Sequence, residues 1–262
     1  MQLLYVYAFL QIIFEALPVS SSGNVLLWIP LLQNLLRISS VGSTLPDFDF
    51  LLHIPTFLVL VLFFFKEWTP FVLCIRKYKR TIVLFAFRCA LADSITAACY
   101  FFWKAQGTAF FPLWIGFLCT TIILLSLRFC KGKDLPKVLT YKDAALWGIV
   151  QGCALLPGIS RLASTFVAGV WMGYSYEQSF RYSFLLQVPL IGCAILKGLW
   201  GVYQQGGDPL LGDSTFYGIV CVASVLAFCL LSFLSGMVKR KSVWKFAWYT
   251  GLLSIIAAWC VR

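Results

Sequence analysis

Two long apolar stretches of this chain, residues 2–36 and 143–174, are each interrupted by the same kind of polar break. Residues 11–24 read QIIFEALPVSSSGN, and about 140 positions later residues 151–165 read QGCALLPGISRLAST. Each copy starts at Gln, runs through an apolar turn or two to Leu-Pro, and then breaks in Ser and Gly. The first carries an acid, Glu15, and the second a base, Arg161. What these breaks can fold into depends on the solvent around them.

Apolar runs of bilayer-spanning length recur at roughly 50–65, 81–103, 109–127, 180–202, 215–237 and 243–261. With 61% hydrophobic and 12% charged residues, the chain is excluded from the ordinary soluble domains. It reads as an all-α, polytopic membrane protein of six transmembrane helices. Non-helical backbone at membrane depth leaves amides and carbonyls unpaired unless protein or a water-filled cavity surrounds it. The two broken stretches are therefore expected to be re-entrant helical hairpins, each entering and leaving on one side. The first ends in EALPVSSSG and not in a small-residue cleavage site, so no signal peptide is needed. The ten Cys lie mostly within apolar runs without a CxxC pair and read as small hydrophobes.

The net charge of +11 is a topological signal, and nucleic acid is not an expected partner. Segments 66–80 (Lys66, Arg76, Lys77, Lys79, Arg80), 128–142 (Arg128, Lys131, Lys133, Lys137, Lys142) and 239–245 (Lys239, Arg240, Lys241, Lys245) hold 14 of the 21 Lys and Arg. Six crossings put all three on one side, leaving Arg37, Lys104 and Arg262 on the other. The positive-inside rule makes the rich side cytoplasmic and both termini external. The first hairpin then enters from outside and the second from inside, as inverted-topology repeats of roughly 1–127 and 140–262 within one membrane domain. FLLHIP (50–55) and FLLQVP (184–189) form a second matched pair, each expected to open a long span after its hairpin. Inverted repeats place binding sites near the midplane, where broken helices meet.

The chemistry therefore belongs at the hairpin tips. Gln11 and Glu15, four apart, share one helix face. A carboxylate inside an apolar helix marks an ion, proton or substrate site, and Gln11 offers the same cation a neutral oxygen. Ser20, Ser21, Ser22 and Gly23, ahead of a helix expected near Asn24, form either a plain cap or a hydroxyl and amide cradle for an anion. Ser160 and Arg161 open the second half-helix, with Thr165 one turn on. Arg at this depth needs a partner, and its planar fork suits phosphate or a structural pair with Glu15. A carboxylate, an amide nest and a buried Arg suit phosphoryl transfer on a lipid-linked phosphate. Arg88 and Asp93, five apart within one span, are expected to reach other helices or to snorkel, and are assigned no chemistry.

At these residues the chain resembles the undecaprenyl-diphosphate phosphatase family, the bacitracin-resistance proteins. That family has Glu/Gln-x-x-x-Glu running into Pro-Val-Ser-Ser-Ser/Thr-Gly-His, and a second motif, Pro-Gly-x-Ser-Arg-Ser-Gly-x-Thr. The counterparts here are Gln11 to Glu15 with Pro18-Val-Ser-Ser-Ser-Gly-Asn24, and Pro157-Gly-Ile-Ser-Arg-Leu-Ala-Ser-Thr165. FDFLLHIPT (48–56) resembles the family's Phe-x-x-x-x-His-x-Gly-Thr, and 173–189 resembles its segment ending Phe-Ser-Phe-Leu-Leu-x-Ile-Pro. The resemblance implies hydrolysis of undecaprenyl diphosphate to the monophosphate, which recycles the lipid carrier for cell-wall synthesis in the bacterial inner membrane, with the site facing outward. It implies that Gln11 and Glu15 hold a divalent cation (Mg or Ca) and a water. Ser21 is nucleophile or phosphate ligand, Ser160, Arg161 and Thr165 grip the diphosphate, and Ser20, Ser22, Gly23 and Asn24 complete the substrate site.

Three positions depart from the pattern: Asn24 stands at the His, Leu162 and Ala163 replace Ser-Gly, and Gln11 takes the neutral option. Asn cannot act as an acid or base near neutral pH, so the sole histidine, His53, is read either as a packed or capping residue at a helix start or as a catalytic candidate. The competing reading is a transporter or flippase of a polyprenyl phosphate or small anion, since broken helices in inverted repeats are also a transporter architecture. Membrane lipids are expected partners, and homodimerisation is left open.

Overall fold

The computed structural model describes residues 2–36, 50–107, 111–130, 137–204 and 213–260. Arg37, Lys131, Lys133 and Arg262, which enter the charge argument, and Phe48 and Asp49 lie outside the described residues. The described residues form α-helices without strands: α1 (Gln2–Glu15), α2 (Ser21–Leu36), α3 (His53–Phe63), α4 (Phe65–Leu73), α5 (Ile75–Gln106), α6 (Leu113–Ser126), α7 (Tyr141–Cys153), α8 (Arg161–Trp171), α9 (Tyr176–Gln204), α10 (Ser214–Lys239) and, after a 3-10 turn at Val243–Lys245, α11 (Phe246–Cys260). Among the described residues, four segments are long and apolar enough to cross a membrane: Tyr78–Gln106, Tyr176–Gln204, Ser214–Lys239 and Val243–Cys260. The surface is turned inside out relative to a soluble protein. Leu62, Phe101, Leu196, Phe233 and Trp248 are exposed, whereas Gln11, Glu15, Asn24, Gln151 and Thr165 are buried. All ten cysteines are free thiols.

Both broken stretches form helix–break–helix hairpins. In the first, Leu3 near the start of α1 packs with Val25 and Ile29 of α2, so the arms run antiparallel. In the second, α7 opens on a capping box between Thr140 and Asp143. Its open end is closed by Lys137 Nζ, which donates to Asp143 Oδ1 (3.1 Å) and to the Met172 carbonyl (2.9 Å). Tyr174 donates to Asp143 Oδ2 at 2.7 Å, and Trp147 bridges the arms by donating to the Thr165 carbonyl at 2.7 Å.

Each hairpin leans on the other half of the chain. Arm α1 packs on α10, arm α7 packs on α5, and α6 pairs with α11. That last pair is joined by Thr121 and Thr250 hydroxyls at 2.8 Å and by Ser254 on the Trp114 carbonyl, the small polar contacts that hold helices together in lipid. The largest apolar cluster, including Leu124, Phe166, Val167, Phe180, Phe184, Leu231 and Leu234, fills the space beneath the second tip.

Two of the basic segments, 128–142 and 239–245, meet at one end of the bundle. Arg128 lies over the Trp244 ring, Lys241 over Tyr176, and Tyr176 donates to the carbonyls of Leu127 and Cys130. Near the opposite end, Tyr5 hydrogen-bonds Asp213, and Lys197 lies over the Phe50 ring.

Two expectations need correction. The run 50–65 is not one span: α3 covers 11 residues, about 16 Å against a hydrocarbon core of about 30 Å. It stops at Phe64, whose ring is buried against Phe63, Phe180 and Phe184, so tertiary packing turns the chain there. The basic segment 66–80 is helical, as α4 and the first turns of α5, with Glu67 tied to Arg181 of α9 at 3.1 Å. Nor does FLLQVP open a helix. It lies inside α9, with Pro189 in the interior, whereas Pro55 sits in the first turn of α3, where its missing N–H costs little.

Candidate active site

The first tip turns at Ser20, a non-glycine residue at φ 65, so α2 begins at Ser21 and not near Asn24 as the sequence suggested. A left-handed serine costs roughly 1–2 kcal/mol, strain of the kind that collects at functional sites. The turn offsets it with local bonds: Gly23 N–H donates to Ser20 Oγ at 3.2 Å, and Asn24 Nδ2 donates to the carbonyls of Val19 and Ser20, both at 2.9 Å. Asn24 Oδ1 accepts from Trp28 Nε1 (3.3 Å) and from the Tyr249 hydroxyl of α11 (2.6 Å). Both donors and both lone pairs of this fully buried amide are thus engaged by protein, leaving none for a ligand. Asn24, expected to touch substrate, instead ties the tip to α11.

The second tip turns at Gly158 (φ 81), and Ser160 caps α8 by accepting from Ala163 N–H at 3.2 Å. Thr120 of α6 holds this tip, accepting from Ser160 N–H (2.9 Å) and donating to the Gly158 carbonyl (3.0 Å). The two tips touch. A Cβ on Gly23 would stand 2.8 Å from Gly158 Cα, and one on Gly116 of α6 would stand 1.9 Å from the Pro157 carbonyl oxygen. Gly23 therefore permits the approach of the other hairpin, where the sequence had suggested the approach of a ligand.

Around this junction the acid and base converge. Gln11 and Glu15 are both buried on α1. Glu15 meets His53 Nδ1 at 2.8 Å and accepts from the Thr56 hydroxyl at 2.9 Å. Arg161 stands within electrostatic reach of Glu15 from the other hairpin. Its Nε is buried with no hydrogen-bond partner among the described residues, as is Gln11 Oε1. A buried donor and a buried acceptor left unpaired are each costly, and a polar ligand relieves them.

The remaining candidates divide. Ser21 is half-buried in the first turn of α2, and Ser22 is exposed. Thr165 is buried and spends its hydroxyl on the Arg161 carbonyl at 2.9 Å, so it steadies the turn bearing Arg161. Three residues were missed. Thr56 carried a signal, lying three positions after His53 on one helical face. Gln151 carried another, as the repeat counterpart of Gln11. It donates to Asp93 Oδ1 at 3.2 Å, which brings in the third. Arg88 turns the other way, over the Tyr141 ring, so Arg88 and Asp93 both reach α7.

The divalent cation can be tested against these donors. Among the described residues no group of three or more His, Cys, Asp or Glu converges. The free Gln11 Oε1 and the Glu15 carboxylate supply two oxygens on one face. That is too few for an all-protein Ca2+ cage, but fits Mg2+, which takes one or two protein oxygens and completes its shell with water and substrate phosphate.

Fold and site together define a multi-pass helical membrane protein whose buried polar centre is made by an acid and a base on two separate broken hairpins. Residues 4–256 match the family described as bacitracin resistance protein BacA, and the chain belongs to that family. It is 28% identical over 258 residues to an undecaprenyl-diphosphatase of Geotalea daltonii, covering 93% of this chain and 92% of that protein. It is 31% identical to one from Trichlorobacter lovleyi, covering 90% and 88%. An undecaprenyl-diphosphatase 2 of Mesorhizobium japonicum is 37% identical over 145 residues, 54% of each chain.

Proposed function

We propose that this protein hydrolyses undecaprenyl diphosphate to undecaprenyl phosphate and inorganic phosphate, returning the lipid carrier to peptidoglycan synthesis. The observation that carries the reading is the convergence of Glu15 and Arg161, from different hairpins, at a glycine-lined junction in a chain of the BacA family. Net, water adds across the terminal phosphoanhydride bond. Arg161 neutralises charge on the diphosphate oxygens, and the Ser21 hydroxyl with the first amides of α2 supplies further donors. Gln11 and Glu15 would hold Mg2+, which when bound spreads positive charge over the phosphoryl oxygens. His53, fixed by Glu15, takes the proton-handling role that Asn24 cannot fill.

In this reading α1–α2 and α7–α8 are re-entrant hairpins inserted from opposite faces, and the halves 1–127 and 140–262 are inverted repeats. The exchanged packing of α1 on α10 and α7 on α5 supports the repeat, and the closed base of the second hairpin supports re-entry. The meeting of segments 128–142 and 239–245 at one end supports a cytoplasmic face there, with the site opening outward from the inner membrane.

The test is phosphate release from undecaprenyl diphosphate by purified protein in detergent, with Mg2+ and with chelator. Turnover that falls on chelation upholds the reading. Tight binding of the lipid without turnover overturns it in favour of a carrier of polyprenyl phosphate.

A further inference from the structure

A second carboxylate, Asp93, faces the second hairpin, and nothing in the reaction above uses it. Asp93 is on α5, across from arm α7 of the second hairpin. The two helices come unusually close because α7 presents glycines: a Cβ on Gly148 would lie 2.5 Å from the Ala92 carbonyl oxygen, and one on Gly152 2.5 Å from Cys99 Sγ. Thr96 donates to the Gly148 carbonyl (3.2 Å) and Trp103 to the Gly152 carbonyl (3.1 Å), fastening the contact on both sides of Gln151. Gln151, 1% exposed, donates Nε2 to Asp93 Oδ1 at 3.2 Å.

That bond leaves an unbalanced set of atoms. Asp93 Oδ2, Gln151 Oε1 and Arg161 Nε are all buried without a hydrogen-bond partner among the described residues. A carboxylate at such depth needs a counter-charge. Arg88, on the same helix, is turned to Tyr141, while Trp147, one turn before Gln151, bonds the Thr165 carbonyl, one turn after Arg161, so the two arms of the hairpin set Arg161 level with Gln151 and its partner Asp93. Arg161 in turn has no carboxylate within salt-bridge distance among the described residues, and Glu15 and Asp93 are the two within electrostatic reach. Glu15 is already committed to His53 and Thr56.

We propose that Asp93, held by Gln151, is the resident counter-ion of Arg161, a positioning residue that balances the guanidinium in the empty site and limits how tightly the site holds phosphate anions. This assignment rests on the reading of Arg161 as the phosphate-binding base. A product phosphate faces Arg161 with Asp93 behind it, so the same charge that opposes binding speeds release. A single charge acting through partly buried protein at this range changes anion affinity by roughly ten-fold.

The experiment measures the dissociation constant of inorganic pyrophosphate by calorimetry on purified full-length protein at fixed Mg2+. Asp93→Asn keeps an acceptor for Gln151 and removes the charge, and it should bind pyrophosphate roughly ten-fold tighter, with lower KM and lower kcat on the lipid substrate. Asp93→Ser, which is smaller, should tighten binding in the same direction if the amide packs poorly. Asp93→Glu, keeping the charge, should stay within about two-fold of wild type. Loss of a merely structural contact would not tighten an anion. Equal or weaker binding by the two neutral variants, or no pyrophosphate binding by any of these proteins, overturns the assignment. If wild type releases no phosphate from the lipid but the pyrophosphate order holds, the proposed function fails and the counter-ion assignment stands.

Discussion

Replacing Gly116 with alanine should separate activity from folding. Gly116 lies on α6 beneath the second tip, where an added Cβ would sit 1.9 Å from the Pro157 carbonyl oxygen and 2.8 Å from the Gly158 carbonyl carbon and Cα. Every nearby atom is backbone, so no flexible side chain can yield. Reaching an ordinary contact of 3.4 Å requires the tip to withdraw by roughly 1.5 Å. Gly158 cannot easily absorb this, since it is left-handed at φ 81 and bonded through its carbonyl to Thr120 at 3.0 Å. The displacement therefore passes to Ser160 and Arg161. Overpacking of this kind costs about 1–3 kcal/mol of stability, and a misplacement of about 1 Å at a catalytic group costs on the order of 100-fold in rate. The assay pairs initial rates of phosphate release with the unfolding midpoint in detergent. Gly236→Ala is the control: its Cβ meets nothing within 4 Å, and a helical glycine to alanine change is neutral or favourable by up to about 1 kcal/mol. If Gly116→Ala turns over within about three-fold of wild type, the tip does not position Arg161 as described.

Other consequences are narrower. His53→Gln, which breaks the pair with Glu15, should lower kcat on the order of 100-fold, and Thr56→Val, which removes one hydrogen bond, only about 3–10-fold; full activity in His53→Gln ends its catalytic role. Asn24→His should give no gain in phosphate release and a lower unfolding midpoint, because the amide's four hydrogen bonds to Val19, Ser20, Trp28 and Tyr249 cannot all be remade by imidazole. At Asp143, burial raises the carboxyl, but hydrogen bonds from Tyr174, Thr140 and Lys137 outweigh it and hold the group below the usual carboxylate range. A lowered folded value contributes stability that is present above the unfolded value near pH 4 and is lost as pH falls through the folded one. Asp143→Asn should therefore cost about 1–2 kcal/mol at neutral pH and progressively less below about pH 4, read from unfolding midpoints across pH.

Much of this architecture was legible because breaks in apolar runs have few physical solutions. Pro18 and Pro157, each followed by Ser and Gly, located both hairpins, and Ser160 marked the start of α8 correctly. The placement of Gln11 with Glu15 followed from helical period alone. Where the sequence misled, tertiary contacts decided. Phe64 ends α3 because three aromatic rings surround it, and no local propensity announces that. The first tip turns at Ser20, and Gly23, expected in an anion cradle, is taken up by contact with Gly158. Asp93 and Gln151 lie 58 positions apart, and their bond depends on how closely Gly148 and Gly152 let α7 approach α5. A chain position can mark a charge as unusual, but only packing names its partner.

The proposed reaction makes Glu15 and Arg161, on separate hairpins, one catalytic unit. A double-mutant cycle in phosphate release by Glu15→Gln, Arg161→Ala and the combined variant tests this. Each single change should remove most turnover, roughly 1,000-fold, and the double variant should be little worse than either, because groups acting together fail together. Near wild-type rates in either single variant, or losses that multiply fully in the double, would contradict it.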